Sequence, residues 1–384
     1  LVKVTIATRP MPSAVPDSRP PLAVFASFSG AGGVERMLVN LIGGFLDLDQ
    51  PVDLVLLRAS GPHLARLPAE VNRIRVGTEH SLLAAPALAR YLRRRRPAAL
   101  LAAKDRAGRA AVLARTLAGT DTRLVMRLGT QLSAAMAEKS ALERWLRYAP
   151  IRRTYPRIDH IVAVSDGVAE DTARIARLPR EQISVIRNPV ITPDLERLAA
   201  EPCPHPWLAH GQPPVILGAG RLQRQKDFPT LIHAFARLPR NLDCRLAILG
   251  EGGGRPKLEA LIGQLGLSGR VALLGFQDNP YAYLARARLF VLSSAWEGSP
   301  NVLTEAMALG IPVVSTDCPS GPFELLDGGR FGPLVPVGDV ESLADAMQRT
   351  LEQPLAPAIL RSAVAEYEQG RSAERYLEVL GLAR

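Results

Sequence analysis

Short apolar runs alternate with longer amphipathic stretches along this chain, and the alternation stops and then restarts. From residue 22 the pattern predicts strand 22–26, helix 34–45, strand 52–57, helix 82–96, strand 98–103, helix 109–117, strand 124–128, helix 133–148, strand 160–164, helix 168–176 and strand 183–186. Strands this short and this apolar, each followed by a helix, fit a parallel sheet with helices on both faces. Residues 193–214 interrupt the pattern with Pro193, Pro202, Pro204, Pro206, Pro213 and Pro214 and read as a linker. The alternation then resumes with strands at 215–217, 244–249, 271–274, 289–292 and 313–315 and helices at 227–238, 256–265, 300–309 and 340–352, closing with helices near 357–368 and 372–380. The expected architecture is α/β, with two tandem Rossmann-like domains at 22–192 and 215–356 and closing helices at 357–384. Ligands of such folds bind at the carboxyl ends of the strands, here in the cleft expected between the domains.

Residues 1–21 contain Pro10, Pro12, Pro16, Pro20 and Pro21 and read as an extended or disordered leader after a short strand-like piece at 2–8. At 47% hydrophobic and 22% charged, the 384 residues can bury large cores. No apolar run approaches the length of a membrane span, and Leu1-Val2-Lys3-Val4 does not begin a signal peptide. The three scattered cysteines, Cys203, Cys244 and Cys318, suit a reducing cytoplasm.

The segment Glu297-Gly298-Ser299-Pro300-Asn301-Val302-Leu303-Thr304-Glu305 follows a predicted strand and opens a helix. Ser299 is a good N-cap and Pro300 a good first helical residue. The N–H groups of Asn301, Val302 and Leu303 would then be open donors at the positive end of the helix dipole, where a phosphate fits. Gly298 permits close approach of a ligand. Glu297 precedes the helix and Glu305 lies about 9 Å along it; both are acceptors for hydroxyl groups. These are the parts needed for a sugar nucleotide, although acidic residues at a helix start are favourable without any ligand.

Arg221 follows Gly220 at the end of a predicted strand, and Lys226 precedes the next helix. Two cations emerging there can neutralise a leaving diphosphate; taken alone, they also fit a solvated loop. Gly30, Gly32 and Gly33 form a strand-to-helix turn able to approach phosphate or sugar. In the turn 275–279, Phe276 can line a base pocket or pack in the core, and Asn279 is a further donor-side candidate. There is no His/Cys cluster and no Ser-His-Asp arrangement, and neither metal nor cofactor is expected.

Residues 1–190 carry 29 Lys and Arg against 16 Asp and Glu, whereas residues 191–384 carry 18 against 21. The basic excess therefore lies in the first half. It includes Arg93-Arg94-Arg95-Arg96, which also suits a helix C-terminus, and Arg144-Trp145-Leu146-Arg147-Tyr148 continuing to Arg152, Arg153, Tyr155 and Arg157. Arginines interleaved with aromatics suit the headgroup region of an anionic membrane. A nucleic-acid partner is disfavoured by the acidic second half and by the absence of a nucleic-acid motif.

Taken in order, Gly30-Ala31-Gly32-Gly33-Val34-Glu35, Ala163-Val164-Ser165-Asp166-Gly167, Asn188-Pro189, Gly218-Ala219-Gly220-Arg221 with Gln225-Lys226-Asp227, Gly250-Glu251-Gly252, and Glu297 with Glu305 as an E-x7-E motif resemble the GT-B fold, family 4 retaining glycosyltransferases. The resemblance runs from about residue 22 to the end, and it implies that the closing helices at 357–384 pack back on the first domain. The stretches 275–281 and 317–322 resemble a subgroup that builds bacterial lipopolysaccharide cores, capsules and lipid-linked oligosaccharides, often with N-acetylhexosamines.

The resemblance implies that Arg221 and Lys226 bind the donor diphosphate, Glu297 the donor sugar and Glu305 the ribose. The backbone of Gly298–Val302 would complete the phosphate site, and Gly32 and Gly33 would close over the donor. It implies metal-independent transfer with retention, from a UDP-sugar to a glycolipid or lipid-linked saccharide, on the cytoplasmic face of the membrane. Many relatives carry a His where this chain reads Met126-Arg127-Leu128-Gly129-Thr130, which leaves Arg127 and Gly129 as acceptor-side candidates. A UDP-sugar epimerase of the same fold and a basic nucleic-acid-binding protein are the alternatives.

Overall fold

The computed structural model describes residues 19–29 and 33–383. Most of the expected leader and Gly32 lie outside the described residues. The described residues divide into two units: those up to Pro189 together with those from Gln369, and residues 190–368.

Among its described residues the first unit holds seven strands: β1 (Leu22–Ser29), β2 (Val52–Ser60), β3 (Asn72–Arg75), β4 (Ala99–Ala102), β5 (Arg123–Leu128), β6 (His160–Ala163) and β7 (Ile183–Val185). They form one parallel sheet in the order β3-β2-β1-β4-β5-β6-β7. Successive residues of β1 enter opposite layers. Ala23 and Phe25 join the core beneath the helices on one face, and Leu22, Val24, Ala26 and Phe28 the core on the other. That two-sided burial explains why β1 lacks a polar face.

The second unit repeats the plan with β8 (Val215–Ala219), β9 (Arg245–Leu249), β10 (Val271–Gly275), β11 (Leu289–Leu292), β12 (Val313–Thr316) and β13 (Leu334–Val335). These are parallel in the order β10-β9-β8-β11-β12-β13. Here Ile216 of β8 faces one core, and Val215, Leu217 and Ala219 the other.

The boundaries differ from those read in the sequence. Residues 193–214 are not a free linker: helix Leu195–Ala200 lies within the second unit, and Asn279 Nδ2 donates to Leu198 O at 2.8 Å. Helix Pro357–Ala363 also belongs to the second unit, and only the segment from Gln369 joins the first. There helix Gln369–Leu380 packs on helix Gly33–Asp47. Gly43 and Gly44 allow the close approach, because a Cβ on Gly44 would stand 2.8 Å from that of Ala373. Phe45 meets Tyr376 edge-on, with ring centroids 6.3 Å apart.

The expected helix 133–148 is instead two, Leu132–Ala135 and Ala141–Thr154. Ser140 and Glu143 form a reciprocal capping box that starts the second helix afresh. That helix runs past the expected end at residue 148 and continues through Pro150 to Thr154.

Candidate functional site

β8 and β11 are neighbours, with Phe290 beside Leu217. The strand order runs outward in opposite directions from this pair. Loops leaving the carboxyl ends of such strands diverge and open a crevice. The loop after β8 carries Gly220, Arg221 and Lys226; the loop after β11 carries Glu297, Gly298 and Ser299.

Among the described residues, four bonds that stitch these loops together stand out. Ser293 Oγ donates to Lys226 O at 2.8 Å, Ala295 N–H to Gln225 O at 2.8 Å, and Gln225 Nε2 to Trp296 O at 2.9 Å. The fourth is an ion pair, Lys226 Nζ to Glu297 Oε1 at 2.5 Å, with side chains only 16% and 7% exposed. Gly220, at φ +154, makes room for it: a Cβ there would lie 2.8 Å from Lys226 Cε. The lysine stem thus runs over a bare α-carbon. Lys226, read in the sequence as a diphosphate ligand, spends its ammonium on the glutamate read as a sugar ligand. Arg221, beside it, is exposed and makes no ion pair among the described residues.

A residue missing from the sequence reading shares this carboxylate. Ser294, fully buried, donates from Oγ to Glu297 Oε1 at 2.7 Å. Thr316 Oγ1 in turn donates to Ser294 O at 2.6 Å. Ser-x-x-Glu is the only sequence signal for it. Cys318 lies in the same field: burial first, and then the Glu297 carboxylate, push its thiol up to about 12.

The helix start differs from the expectation by one residue. The helix spans Asn301–Ala308, with Pro300 in the cap position at ψ 80 and no side-chain cap. Asn301 N–H turns back to Ser299 O at 3.0 Å, and Leu303 N–H reaches Pro300 O at 2.9 Å. Two of the three expected open donors are therefore used within the turn, leaving the Val302 N–H. Ser299 does not cap; its Oγ is buried and has no hydrogen-bond partner among the described residues. An orphaned hydroxyl at a helix N-terminus is a donor awaiting an acceptor. Gly321, at φ +75, buttresses this turn; a Cβ there would lie 2.9 Å from Pro300 Cδ.

Glu305 is 2% exposed, and Tyr281 Oη donates to its Oε1 at 3.5 Å. Phe276, after β10, is 43% exposed and so is not a core residue. Asn279 is committed elsewhere: its amide nitrogen bonds Leu198 O and Glu201 Oε2, both at 2.8 Å, and its oxygen accepts from Tyr281 N–H. That side chain braces helix Leu195–Ala200.

In the first unit, Gly33 begins helix Gly33–Asp47. Arg127, at the carboxyl end of β5, is 3% exposed and turned inward. Its Nη2 donates to Asn188 Oδ1 at 2.8 Å, Tyr376 lies against it, and burial lowers its pKa. Gly129 makes room for that guanidinium, since a Cβ there would stand 2.4 Å from Nη1. Arg127 is thus held in a buried knot with Asn188 and Tyr376, with the half-buried Gly129 beside it, and its guanidinium is not turned to solvent. Helix Ala141–Thr154 shows the opposite: Leu142, Trp145 and Leu146 are 66%, 59% and 57% exposed on one side of it. Arg147 anchors that helix through Asp105 Oδ2 at 2.9 Å.

Two doubly covered parallel sheets, the second with this loop pair at its switch point, define the GT-B class. The family model described as Glycosyl transferases group 1 matches residues 205–371, and that for Glycosyltransferase Family 4 matches residues 31–193. The chain belongs to the family 4 glycosyltransferases.

Among curated relatives, it is 36% identical over 234 residues to the N-acetylgalactosamine-N,N'-diacetylbacillosaminyl-diphospho-undecaprenol 4-alpha-N-acetylgalactosaminyltransferase of Campylobacter jejuni; the match takes in 61% of this chain and 62% of that protein. It is 36% identical over 223 residues to the lipopolysaccharide core biosynthesis glycosyltransferase LpsE of Rhizobium meliloti, a match to 56% of this chain and 60% of that one. The chain thus spans about 60% of the length of these relatives. The fold is shared with Anabaena HepE, solved in complex with UDP and glucose, at a TM-score of 0.76 and 21% identity, over 94% of this chain and all of that one.

Proposed function

We propose that this chain transfers a hexose or N-acetylhexosamine from a UDP-sugar to a glycolipid or lipid-linked saccharide during assembly of a cell-surface polysaccharide. The observation that carries the reading is the loop pair at the β8/β11 switch point. It joins a fixed glutamate, a lysine, an exposed arginine and a helix start with an unpartnered buried hydroxyl. Arg221, the Ser299 hydroxyl and the Val302 N–H receive the donor diphosphate, with Gly298 allowing its approach. Glu297 takes hydroxyls of the sugar, and Glu305 those of the ribose. Phe276 offers its exposed ring to the base.

The transfer breaks the bond between the anomeric carbon and the diphosphate oxygen and forms one from the acceptor oxygen to that carbon. The acceptor proton passes to the leaving diphosphate on the same face, which retains configuration and needs no protein base on the acceptor side. Cations and oriented donors placed where charge develops on the diphosphate lower the barrier. UDP support comes from HepE, and a lipid-linked acceptor from the Campylobacter relative, as properties of those proteins.

With an acceptor of this class, the proposed enzyme works at a membrane, on its cytoplasmic face. No helix among the described residues is long and apolar enough to cross one. Leu142, Trp145 and Leu146, on a helix that also carries Arg144, Arg152 and Arg153, supply a surface for anionic lipid instead. The test of the activity is product analysis with UDP-sugars and an undecaprenyl-diphosphate saccharide. Release of UDP with a glycosylated lipid is expected. An isomerised UDP-sugar without acceptor would mean an epimerase, and DNA binding without UDP affinity a different class altogether.

A further inference from the structure

We infer that Ser294 is a positioning residue for the donor sugar, acting through Glu297; this rests on the donor-site reading above. Two donors, Lys226 Nζ at 2.5 Å and Ser294 Oγ at 2.7 Å, converge on one oxygen of Glu297, Oε1. Among the described residues, Oε2 accepts no hydrogen bond. The carboxylate is therefore pinned at one oxygen and left open at the other, in a side chain 7% exposed.

The two pins are unlike. Lys226 holds the carboxylate with a charge at the end of a four-carbon stem, and an incoming diphosphate competes for that same ammonium. Ser294 cannot be drawn away. It has no exposed surface, its hydroxyl sits on a one-carbon arm, and its carbonyl is held by Thr316 Oγ1 at 2.6 Å. When the diphosphate shares the lysine, the serine keeps Oε1 in place and Oε2 directed at a sugar hydroxyl. Lys226 thus serves two ligands in turn, and Ser294 keeps Glu297 aimed throughout.

The experiment measures, by calorimetry, the affinity for UDP and for whichever of UDP-glucose, UDP-galactose, UDP-GlcNAc and UDP-GalNAc the wild type binds most tightly. The proteins compared are wild type, Ser294→Ala, Ser294→Cys, Glu297→Ala and the Ser294→Ala/Glu297→Ala double variant. Ser294→Ala should leave UDP affinity within about twofold and weaken the UDP-sugar about tenfold, the loss expected when a hydrogen bond to a charged group is removed. Ser294→Cys, close in size and a weak donor, should fall between. In the Glu297→Ala background the serine change should have no further effect, because its action runs through the carboxylate. Equal loss of UDP and UDP-sugar affinity, or additive effects in the double variant, would reduce Ser294 to a loop brace and overturn the inference. A wild type that binds neither UDP nor any UDP-sugar would instead remove the donor-site reading, and this role with it.

Discussion

Lys226 Nζ and Glu297 Oε1 stand 2.5 Å apart across 71 residues of sequence. Each comes from the loop after a different strand, and they meet because the sheet order makes β8 and β11 neighbours. The pair makes the site electrostatically self-contained before any ligand arrives. Removing Lys226 leaves a buried carboxylate with only Ser294 on it, and breaking a buried pair from one side costs about 3–5 kcal/mol. Lys226→Ala should therefore lower the melting temperature, and adding Glu297→Gln should restore part of the loss. A double variant less stable than Lys226→Ala alone would contradict this; thermal unfolding of the three proteins decides.

Gly250 tests the loop scaffold without touching a charged group. At φ +128, a Cβ there would lie 2.0 Å from Gly220 O, and that contact is backbone, which has no room to give. Gly250→Ala should cost roughly 2 kcal/mol or more from the combined strain. Gly253, three residues on, has nothing within 4 Å of its added Cβ, so Gly253→Ala should stay within about 0.5 kcal/mol of wild type. Denaturant melts of the two variants give the comparison.

Strands buried on both faces, such as β1 and β8, were legible because nothing but a covered parallel sheet accommodates them. β3, Asn72-Arg73-Ile74-Arg75, was not: it is an edge strand with one apolar residue, and only its pairing to β2 makes it a strand. Glu297, Arg221 and Lys226 could be singled out by residue type and position. The contact between Lys226 and Glu297 could not, since it depends on which strands lie side by side. The helix start was misread by one residue because Ser299 has the composition of a cap, whereas the ψ of Pro300 spends Ser299 O on Asn301 N–H instead. Arg127 looked like a replacement for a catalytic group only while its partners Asn188 and Tyr376, distant in sequence, were out of view.

The thiols have a defined pH behaviour. Burial, followed by the Glu297 carboxylate, raises Cys318 to about 12, and burial also raises Cys244. A raised thiol pKa keeps the protonated, unreactive form dominant until the pH passes that value. At pH 8 the folded protein should react with a disulfide reagent at the less buried Cys203 alone, and at all three cysteines once unfolded. Rapid labelling of Cys318 in the folded state, read by mass spectrometry, would contradict its placement beside Glu297.

The exposed face of helix Ala141–Thr154 sets the expectation for membrane contact. Replacing Leu142, Trp145 and Leu146 together by serine removes apolar area without altering charge. Co-sedimentation with phosphatidylglycerol vesicles should fall at least several-fold, and wild-type binding should weaken with added salt. Unchanged sedimentation of the triple variant would rule this face out.

The central claim is that the loops after β8 and β11 hold the diphosphate of a UDP-sugar, and titration calorimetry of UDP against wild type and Arg221→Ala tests it most directly. Arg221 is exposed and pairs with no carboxylate among the described residues, so its loss should leave folding intact. The account predicts one UDP bound per wild-type chain and binding at least tenfold weaker in Arg221→Ala, with an unchanged melting temperature for the free protein. Equal UDP affinity in the two proteins would contradict it.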